Sequence, residues 1–369
     1  MPHKRENLGQ IAVEPLAKRT SKHAFAEIRT DVDAPPPSAG DLEGKIALVA
    51  DHIQNARSAG AAVILAFGAH LVRNGLADIV GELMKSGWVT HLATNGAGVI
   101  HDWEYAFQGR SGENVQANVA EGRFGTWDET GRNTHIAVLV GALTGTGYGE
   151  SIGRFICEDG CEIPSLDQLW NSVENACSSK QADEHFPARA ELIRVIQQFE
   201  IESGRLRVRH LHPEFSIAAK ANQLGVPLTV HPGIGYDIVF THPMANGAAI
   251  GRAAGIDFSV FVHSVGQIKQ GGVFLSIGSA VMAPQVLEKA GSIANNLRRQ
   301  RGEEAIQPYI AVNDLATVGW DWNQSEPPID HPAYYIRFCK SFSRMGGEML
   351  YLGGDNRTVL HNLCCKLRK

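Results

Sequence analysis

The spacing of apolar and polar positions predicts strand–turn–helix units along most of the chain. The clearest unit begins with residues 89–94, a short, mostly apolar run typical of a buried strand. Residues 95–98, Asn-Gly-Ala-Gly, then form a tight turn, because glycine adopts backbone conformations that other residues avoid. From there Val99, Trp103 and Phe107 fall four apart, which predicts an amphipathic helix.

The same alternation occurs elsewhere in the sequence. Residues 62–67 read as a strand, 68–70 as a turn and 71–85 as a helix. Further strands are predicted at 226–230, 272–276, 308–312 and 348–352, and further helices at 215–224, 245–265, 281–298 and 357–366. Strands that alternate with helices indicate an α/β fold with a doubly wound parallel sheet and helices on both faces.

Two segments depart from this alternation. Residues 1–42 contain the stiff spacer Ala-Pro-Pro-Pro-Ser-Ala-Gly at 34–40 and are predicted to be an N-terminal arm, either wrapped around a neighbouring subunit or mobile. The rest, 43–369, is predicted to be a single domain. Within it, residues 109–205 are mostly helical in pattern without a convincing strand, so we expect a helical insertion that covers the sheet.

Composition narrows the class of protein. Of 369 residues, 44% are hydrophobic and 20% charged, as in ordinary globular proteins. The net charge of -5 and the lack of a basic run argue against a nucleic-acid partner. No apolar leader and no long apolar run occurs, so neither secretion nor membrane insertion is expected. The six cysteines lack zinc-site spacing and fit reduced thiols, which favours the cytoplasm.

Glycine and polar residues follow several predicted strands. These strand-end segments are 68–75, 95–104, 231–237, 277–279 and 353–355. The carboxyl ends of parallel strands meet at one edge of the sheet, and the helices that follow present unpaired amides to anions. We therefore expect a nucleotide-sized ligand there, although the usual dinucleotide and phosphate-loop motifs are absent.

Several side chains near these turns are candidates for chemistry. Asp102 and Glu104 could accept from ribose hydroxyls or neutralise an amine, or lie on a solvated helix face. His101 is either a proton-transfer group or a surface residue. Asp237 precedes an apolar stretch in a strand-end loop, which favours a role in the site.

Two alternatives use other residues. Asp237 could form a metal site with histidines, although their spacing matches no metal motif; the histidines are His210, His212, His231 and His242. The Trp-Asp-Trp loop at 318–323 could hold a cationic amine by cation–π contact, or simply anchor packing.

Several of these segments resemble deoxyhypusine synthase. The first two are Ala-His-Leu-Val-Arg-Asn-Gly at 69–75 and Asn-Gly-Ala-Gly-Val-Ile-His-Asp at 95–102. Segments 226–240, 271–278 and 351–355 resemble later elements of the family in the correct order. The resemblance covers about 60–365 except most of 109–205.

The resemblance implies a deoxyhypusine synthase-like NAD/FAD-binding fold and a homotetramer with NAD near the subunit contacts. Asp237, with His101 and Asp102, would hold or deprotonate a substrate amine. The predicted cofactor-binding residues are Ala69, His70, Asn95, Gly96, Ala97, Gly98, Gly278, Ser279 and Asp355, with His101 beside them. The family oxidises spermidine with NAD and transfers an aminobutyl group through an imine on an enzyme lysine.

The chain departs from the family at that lysine. Arg337 stands in its place, and an arginine stays protonated and cannot form an imine. Lys340 is nearby, and Ala283 replaces a family histidine.

Residues 95–104 also resemble the NAD-binding module of ornithine cyclodeaminase-type enzymes, which need no lysine imine. The sequence thus predicts a deoxyhypusine synthase-like, NAD-dependent enzyme acting on a C–N bond of an amine or polyamine. The alternatives are an ornithine cyclodeaminase-like lyase, a non-catalytic nucleotide-binding protein and a metal hydrolase.

Overall fold

The computed structural model describes residues 3–179, 183–316 and 319–369. Strands in these ranges are β1 (His23–Ala24), β2 (Val63–Phe67), β3 (His91–Thr94), β4 (Arg110–Ser111), β5 (Gly160–Ile163), β6 (Gly204–Arg207), β7 (Leu228–Val230), β8 (Gln270–Ile277), β9 (Gln307–Asp314) and β10 (Glu348–Gly353).

The helices of the described ranges surround these strands. They are α1 (Phe25–Ile28), α2 (Glu43–Ser58), α3 (Ala69–Arg73), α4 (Ala77–Lys85), α5 (Gly96–Gln108), α6 (Val115–Ala120), α7 (Asp128–Gly141), α8 (Tyr148–Cys157), α9 (Leu166–Ser178), α10 (Phe186–Phe199), α11 (Ile217–Leu224), α12 (Gly247–Gly266), α13 (Met282–Gln300), α14 (Arg337–Ser343) and α15 (Asn356–Leu367). None of the described helices is both long and apolar enough to cross a bilayer.

Six strands form the central sheet in the order β10-β9-β8-β2-β3-β7, and every neighbouring pair is parallel. Numbered by their order in the chain and read from β7, these strands run 3-2-1-4-5-6, the order of Rossmann-type dinucleotide-binding folds. The winding reverses between β2 and β8. The predicted α/β fold with a doubly wound parallel sheet is therefore confirmed.

The sheet is buried on both faces. On β2, Val63, Leu65 and Phe67 join one hydrophobic cluster, while Ile64 and Ala66 face a second cluster on the opposite side. The second cluster contains apolar side chains of α12, α13 and α14, and the first contains those of the other long helices. Burial on both faces explains why these strands appear in the sequence as continuous apolar runs.

Two predicted elements differ from the structure. The helix expected over 71–85 is split into α3 and α4 at Gly75, whose φ of 72° favours glycine. A Cβ there would lie 2.1 Å from the carbonyl oxygen of Ile28, so the break also admits the N-terminal arm. The segment 109–205 is largely helical as predicted, but it contains the strands β4 and β5, too short to show a period.

The N-terminal arm packs on its own chain. Strand β1 pairs antiparallel with β4, and the Leu16 amide donates to the Glu129 carboxylate at 2.6 Å. At the other end of the arm, the Asn362 amide donates to the carbonyl of Pro37 at 2.8 Å. The sequence predicted either a mobile arm or an arm wrapped around a neighbouring subunit, whereas these contacts join the arm to its own chain. The arm instead forms part of the wall of a cavity.

Candidate functional site

The turns predicted after β2, β3, β7, β8 and β10 share one edge of the sheet, because all six strands are parallel. A cavity of about 250 Å³ opens there, beside the start of α5. The loop after β7, the end of α3 and the arm complete it. Its lining includes Arg19, Lys22, Arg73, Ala97, Ile100, His101, Glu104, Glu113, Tyr236 and Asp237. Ala97, His101 and Asp237 of the predicted site are thus brought together.

Asp237 supplies a buried carboxylate at the start of α5. Its side chain accepts from the Gly233 amide at 2.7 Å and from the Ala97 amide. Burial raises the pKa of this carboxyl, although both amide bonds oppose the rise. A Cβ on Gly96 would lie 2.5 Å from the carboxyl carbon, so only glycine permits this approach. The carboxylate therefore faces the cavity from a fixed position.

Replacing Gly96 by alanine should displace Asp237 from the cavity. We expect a loss of about 1–3 kcal/mol in stability from the overpacked contact, and a loss of ligand binding in the cavity. Thermal unfolding and calorimetric titration would measure both. Gly251→Ala is the matched control, because that helical glycine has open space around it; it should stabilise α12 by up to about 1 kcal/mol. An unchanged Gly96→Ala protein would contradict the assignment.

His101 lines the cavity as a neutral imidazole. Its Nδ1 lies 2.7 Å from Ser111 Oγ, and among the described residues no protein group bonds its Nε2. Burial lowers the pKa of His101 to about 4; Glu104 opposes this effect, whereas the charge of Arg73 adds to it. A neutral ring at physiological pH has one nitrogen with a free lone pair, which can accept a proton as a general base.

Asp102 does not belong to this cavity. Its carboxylate is buried against α11, where it accepts from Ser216 Oγ at 2.6 Å and from the amides of Ile217 and Ala218 at 2.6 and 3.0 Å. It thereby satisfies backbone donors at the start of α11. The predicted catalytic role of Asp102 does not fit a carboxylate whose oxygens are occupied in this way.

Glu104 is neither on a solvated helix face nor free to bind a ribose. It forms a bidentate ion pair with Arg19, with N···O distances of 2.7 and 2.6 Å, and both side chains are almost fully buried. It also accepts from Ser111 Oγ at 2.5 Å and Thr130 Oγ1 at 3.0 Å. Burial alone would raise the Glu104 pKa, but the Arg19 guanidinium outweighs burial and lowers it.

Two cationic side chains, Arg73 and Lys22, line the same cavity as Asp237. The Nε of Arg73 is buried without a partner, and another guanidinium nitrogen reaches His23 Nε2 only at 3.4 Å. The Lys22 ammonium has no ion pair within the described part of the chain. Sequence inspection did not identify these two residues: Lys22 lies in the arm, and Arg73 was quoted only as part of a family segment.

The start of α5 does not offer the free amides that were expected for a diphosphate. Asn95 caps the helix by accepting from the Gly98 amide at 2.9 Å, and Asp237 takes the Ala97 amide. A Cβ on Gly98 would strike Thr94 Oγ1, so this glycine serves packing. Side chains of the protein itself therefore bind two amides of this helix terminus, and the assignment of residues 95–98 to the cofactor stays a prediction.

The ends of β2, β8 and β9 fit a cofactor better. Gly68 lies so close to Gly278 that a Cβ would stand 2.3 Å from the Gly278 carbonyl oxygen. No side chain caps α3, which begins at Ala69 and His70. The buried Asn313 Oδ1 at the end of β9 has no partner and can accept a hydrogen bond.

The remaining predicted cofactor residues cap helices. Ser279 Oγ accepts from the Ala283 amide at 3.3 Å, at the start of α13. Asp355 caps α15 by accepting from the Thr358 amide at 3.1 Å, as the pattern predicted for that helix. Both lie at the correct edge of the sheet, and each uses one side-chain acceptor in its own helix start, Ser279 its hydroxyl oxygen and Asp355 its Oδ2.

The other candidate groups are dispersed. No cluster of three or more potential metal ligands occurs among the described residues. His210 faces Asp159, whereas His242 faces Asp128 elsewhere. In the aromatic loop, Trp320 donates to the Ser325 carbonyl at 2.8 Å, and Val318 lies outside the described residues.

The described chain was also compared with known proteins. No family model matches it, and no curated protein matches it. A solved structure of AgrE with ornithine and NAD+ is 12% identical with a TM-score of 0.43, covering 91% of this chain and 34% of that one. ArgZ, an arginine dihydrolase from cyanobacteria, is 13% identical at 0.40, covering 88% and 33%. A putative LOR/SDH protein from Methanococcus maripaludis S2 is 10% identical at 0.41, covering 93% and 72%.

The chain spans about a third of the AgrE and ArgZ chains. Likeness this remote does not determine what this chain binds or does. None of these three structures is described as a deoxyhypusine synthase, so that predicted family resemblance is not confirmed. The predicted homotetramer and the cytoplasmic location likewise stay predictions.

Proposed function

We propose that the protein is an NAD-dependent enzyme acting on a C–N bond of a small amino acid, as an ornithine cyclodeaminase-like lyase does. The observation that carries the proposal is the charge pattern of the cavity at the carboxyl edge of a Rossmann-ordered sheet. Asp237 offers a buried carboxylate to this cavity, and Arg73 with Lys22 offers cations to it. An amino acid carries both complementary charges, whereas a polyamine carries only positive ones.

Each cavity residue then has a definite task. Asp237 binds the substrate ammonium, because charge-assisted hydrogen bonds are among the strongest available to a protein. The Arg73 guanidinium, whose Nε lacks a partner, binds the substrate carboxylate, and Lys22 adds a second positive charge. His101, neutral and with a free Nε2, accepts a proton from the bound amine.

The cofactor has a place beside this cavity. A dinucleotide would lie at the point where the winding reverses, where Gly68 and Gly278 follow two neighbouring strands in close contact. The uncapped start of α3 and Asn313 Oδ1 supply a donor surface and an acceptor there. When bound, NAD would supply a two-electron acceptor for oxidation of the C–N bond.

Transfer to an enzyme lysine is the less favoured function. Lys340 forms an ion pair with Glu326 and lies over the ring of Tyr334 at 3.7 Å. Both contacts favour the ammonium form, whereas burial and the charge of Arg344 lower the Lys340 pKa, and imine formation requires the neutral amine. Lys340 also does not line the cavity that holds Asp237.

Incubation with NAD and candidate substrates tests the proposal. We expect release of ammonia, with transient absorbance of reduced NAD on the enzyme, from ornithine or a similar amino acid. Spermidine and agmatine, which lack a carboxylate, should give neither signal. Lys340→Ala should retain the activity.

Two outcomes would contradict this assignment. If the wild type turns over spermidine and Lys340→Ala does not, aminobutyl transfer through Lys340 becomes the favoured function. Binding of NAD without reduction by any of these amines or amino acids would favour a non-catalytic nucleotide-binding protein.

A further inference from the structure

A line of buried hydrogen bonds runs behind His101, away from the cavity. His101 Nδ1 lies 2.7 Å from Ser111 Oγ, and Ser111 Oγ donates to Glu104 at 2.5 Å. Glu104 in turn accepts two bonds from Arg19. The exposed fractions of the Arg19 and Glu104 side chains are only 2% and 1%, so water does not replace any of these partners.

The positions of the protons in this line of hydrogen bonds follow from the charges of Arg19 and Glu104, which lie at the end away from the cavity. Glu104 beside the Arg19 guanidinium is ionised, since its pKa is lowered despite burial. An ionised carboxylate only accepts hydrogen bonds, so Ser111 must use its single hydroxyl proton on Glu104. The hydroxyl oxygen is then an acceptor toward His101, and Nδ1 must carry the ring proton. The remaining lone pair is on Nε2.

We propose that Arg19, Glu104 and Ser111 are positioning residues that hold His101 in its Nδ1–H tautomer, so that Nε2 is the base of the cavity. The inference deepens the proposed function and rests on it. In the step concerned, an N–H bond of the substrate ammonium breaks and an N–H bond forms at Nε2. The electron pair stays on the substrate nitrogen, which leaves a neutral amine and an imidazolium.

Charges act on the His101 ring in both directions. Burial lowers the pKa of His101 most, the Glu104 carboxylate raises it, and the charges of Arg73 and Arg19 lower it further. A substrate carboxylate bound to Arg73 would neutralise that cation and so make the ring more basic. The base would thus gain strength when the amino acid arrives. One part of the line, Arg19, comes from the N-terminal arm.

The simpler explanation is that the Arg19–Glu104 pair only anchors the arm. Ser111→Ala separates the two explanations, because it removes the hydroxyl that links Glu104 to His101 and leaves the ion pair intact. Ser111→Thr restores the hydroxyl. Ser58→Ala is a matched control, since Ser58 is an exposed serine that bonds only the Gln54 carbonyl of its own helix.

Nitrogen NMR of protein labelled with 15N-histidine reads the tautomer directly, with the His101 signals assigned by their loss in His101→Gln. We expect a protonated Nδ1 and an unprotonated Nε2 in the wild type and in Ser111→Thr. Ser111→Ala should show a mixture of tautomers or the Nε2–H form, while Ser58→Ala should match the wild type. In turnover, Ser111→Ala should lose on the order of 100-fold in kcat with little change in KM, and Ser111→Thr should recover most of it.

A wild-type ring protonated on Nε2, or an unchanged tautomer in Ser111→Ala, would overturn the inference. So would an unchanged kcat in that variant. The NMR measurement requires no substrate, so it is independent of the proposed function. A correct tautomer in a protein that turns over no amino acid would therefore refute the proposed function and leave the positioning of His101 established.

Discussion

Replacing Asp237 by asparagine should lower kcat/KM for the amino acid substrate on the order of 100-fold. The side chains have nearly the same shape, but the variant lacks the negative charge that pairs with the substrate ammonium. Losing one partner of a buried, hydrogen-bonded charge pair costs roughly 3 kcal/mol, which corresponds to that factor. Steady-state turnover would measure the loss, and calorimetry should show unchanged NAD affinity, because the cofactor residues lie at other strand ends.

Asp51→Asn provides the control for this substitution. Asp51 is exposed on α2, so the same chemical change there should leave kcat/KM unchanged. An Asp237→Asn enzyme with undiminished kcat/KM would remove Asp237 from the substrate site. An equal loss of NAD and substrate binding would instead indicate that the β7 loop as a whole had been displaced.

Replacing Arg19 by methionine should lower the free energy of unfolding by about 3–5 kcal/mol. Methionine fills much of the same volume but leaves the Glu104 carboxylate buried without its cation, and breaking a buried pair from one side costs that much. Urea unfolding would measure the difference. The double variant Arg19→Met/Glu104→Gln should recover a large part of it, because no uncompensated buried charge remains.

The loss in Arg19→Met should also depend on pH. The pKa of Glu104 is lowered in the folded protein, so its pairing contributes stability above the carboxyl's unfolded pKa and loses it as the pH falls through the folded value. The difference in the free energy of unfolding between wild type and Arg19→Met should therefore become smaller at acidic pH. Arg301→Met, at an exposed ion pair, should leave the free energy of unfolding nearly unchanged at every pH. If this difference in the free energy of unfolding for Arg19→Met did not change at acidic pH, the ionised state of Glu104 would be contradicted.

The fold was predictable because its signals are local. Strands β2 and β8 are buried on both faces, so their apolar runs are continuous, and glycine turns follow them. The cap of α15 by Asp355 and the capping box that Ser165 forms with Gln168 are local in the same way, because each joins residues only three positions apart. Long strands and long helices carry enough repeats of their period for the pattern to identify them.

The site was less predictable because it depends on long-range contacts. Arg19 and Glu104 are 85 positions apart, and no periodicity indicates where the arm docks. The sequence favoured Asp102 over Glu104 as a site residue, but two residues along a helix differ by about 200° in direction. Asp102 therefore packs against α11, while Glu104 faces the arm. Similarly, Asp237 reaches the start of α5 and binds the amide of Ala97 only in the folded chain, so the sequence alone did not show this contact.

The arm is itself held by the final helix. The Arg357 guanidinium donates to the carbonyl of Ile28 at 3.3 Å, and the Arg368 guanidinium donates to that of Val32 at 3.0 Å. The arm leaves the ribosome long before α15, yet α15 supplies these contacts. During synthesis, the contacts of Ile28, Val32 and Pro37 with the end of the chain can form only after translation has passed α15. The Arg19–Glu104 pair needs only residues that are synthesised much earlier.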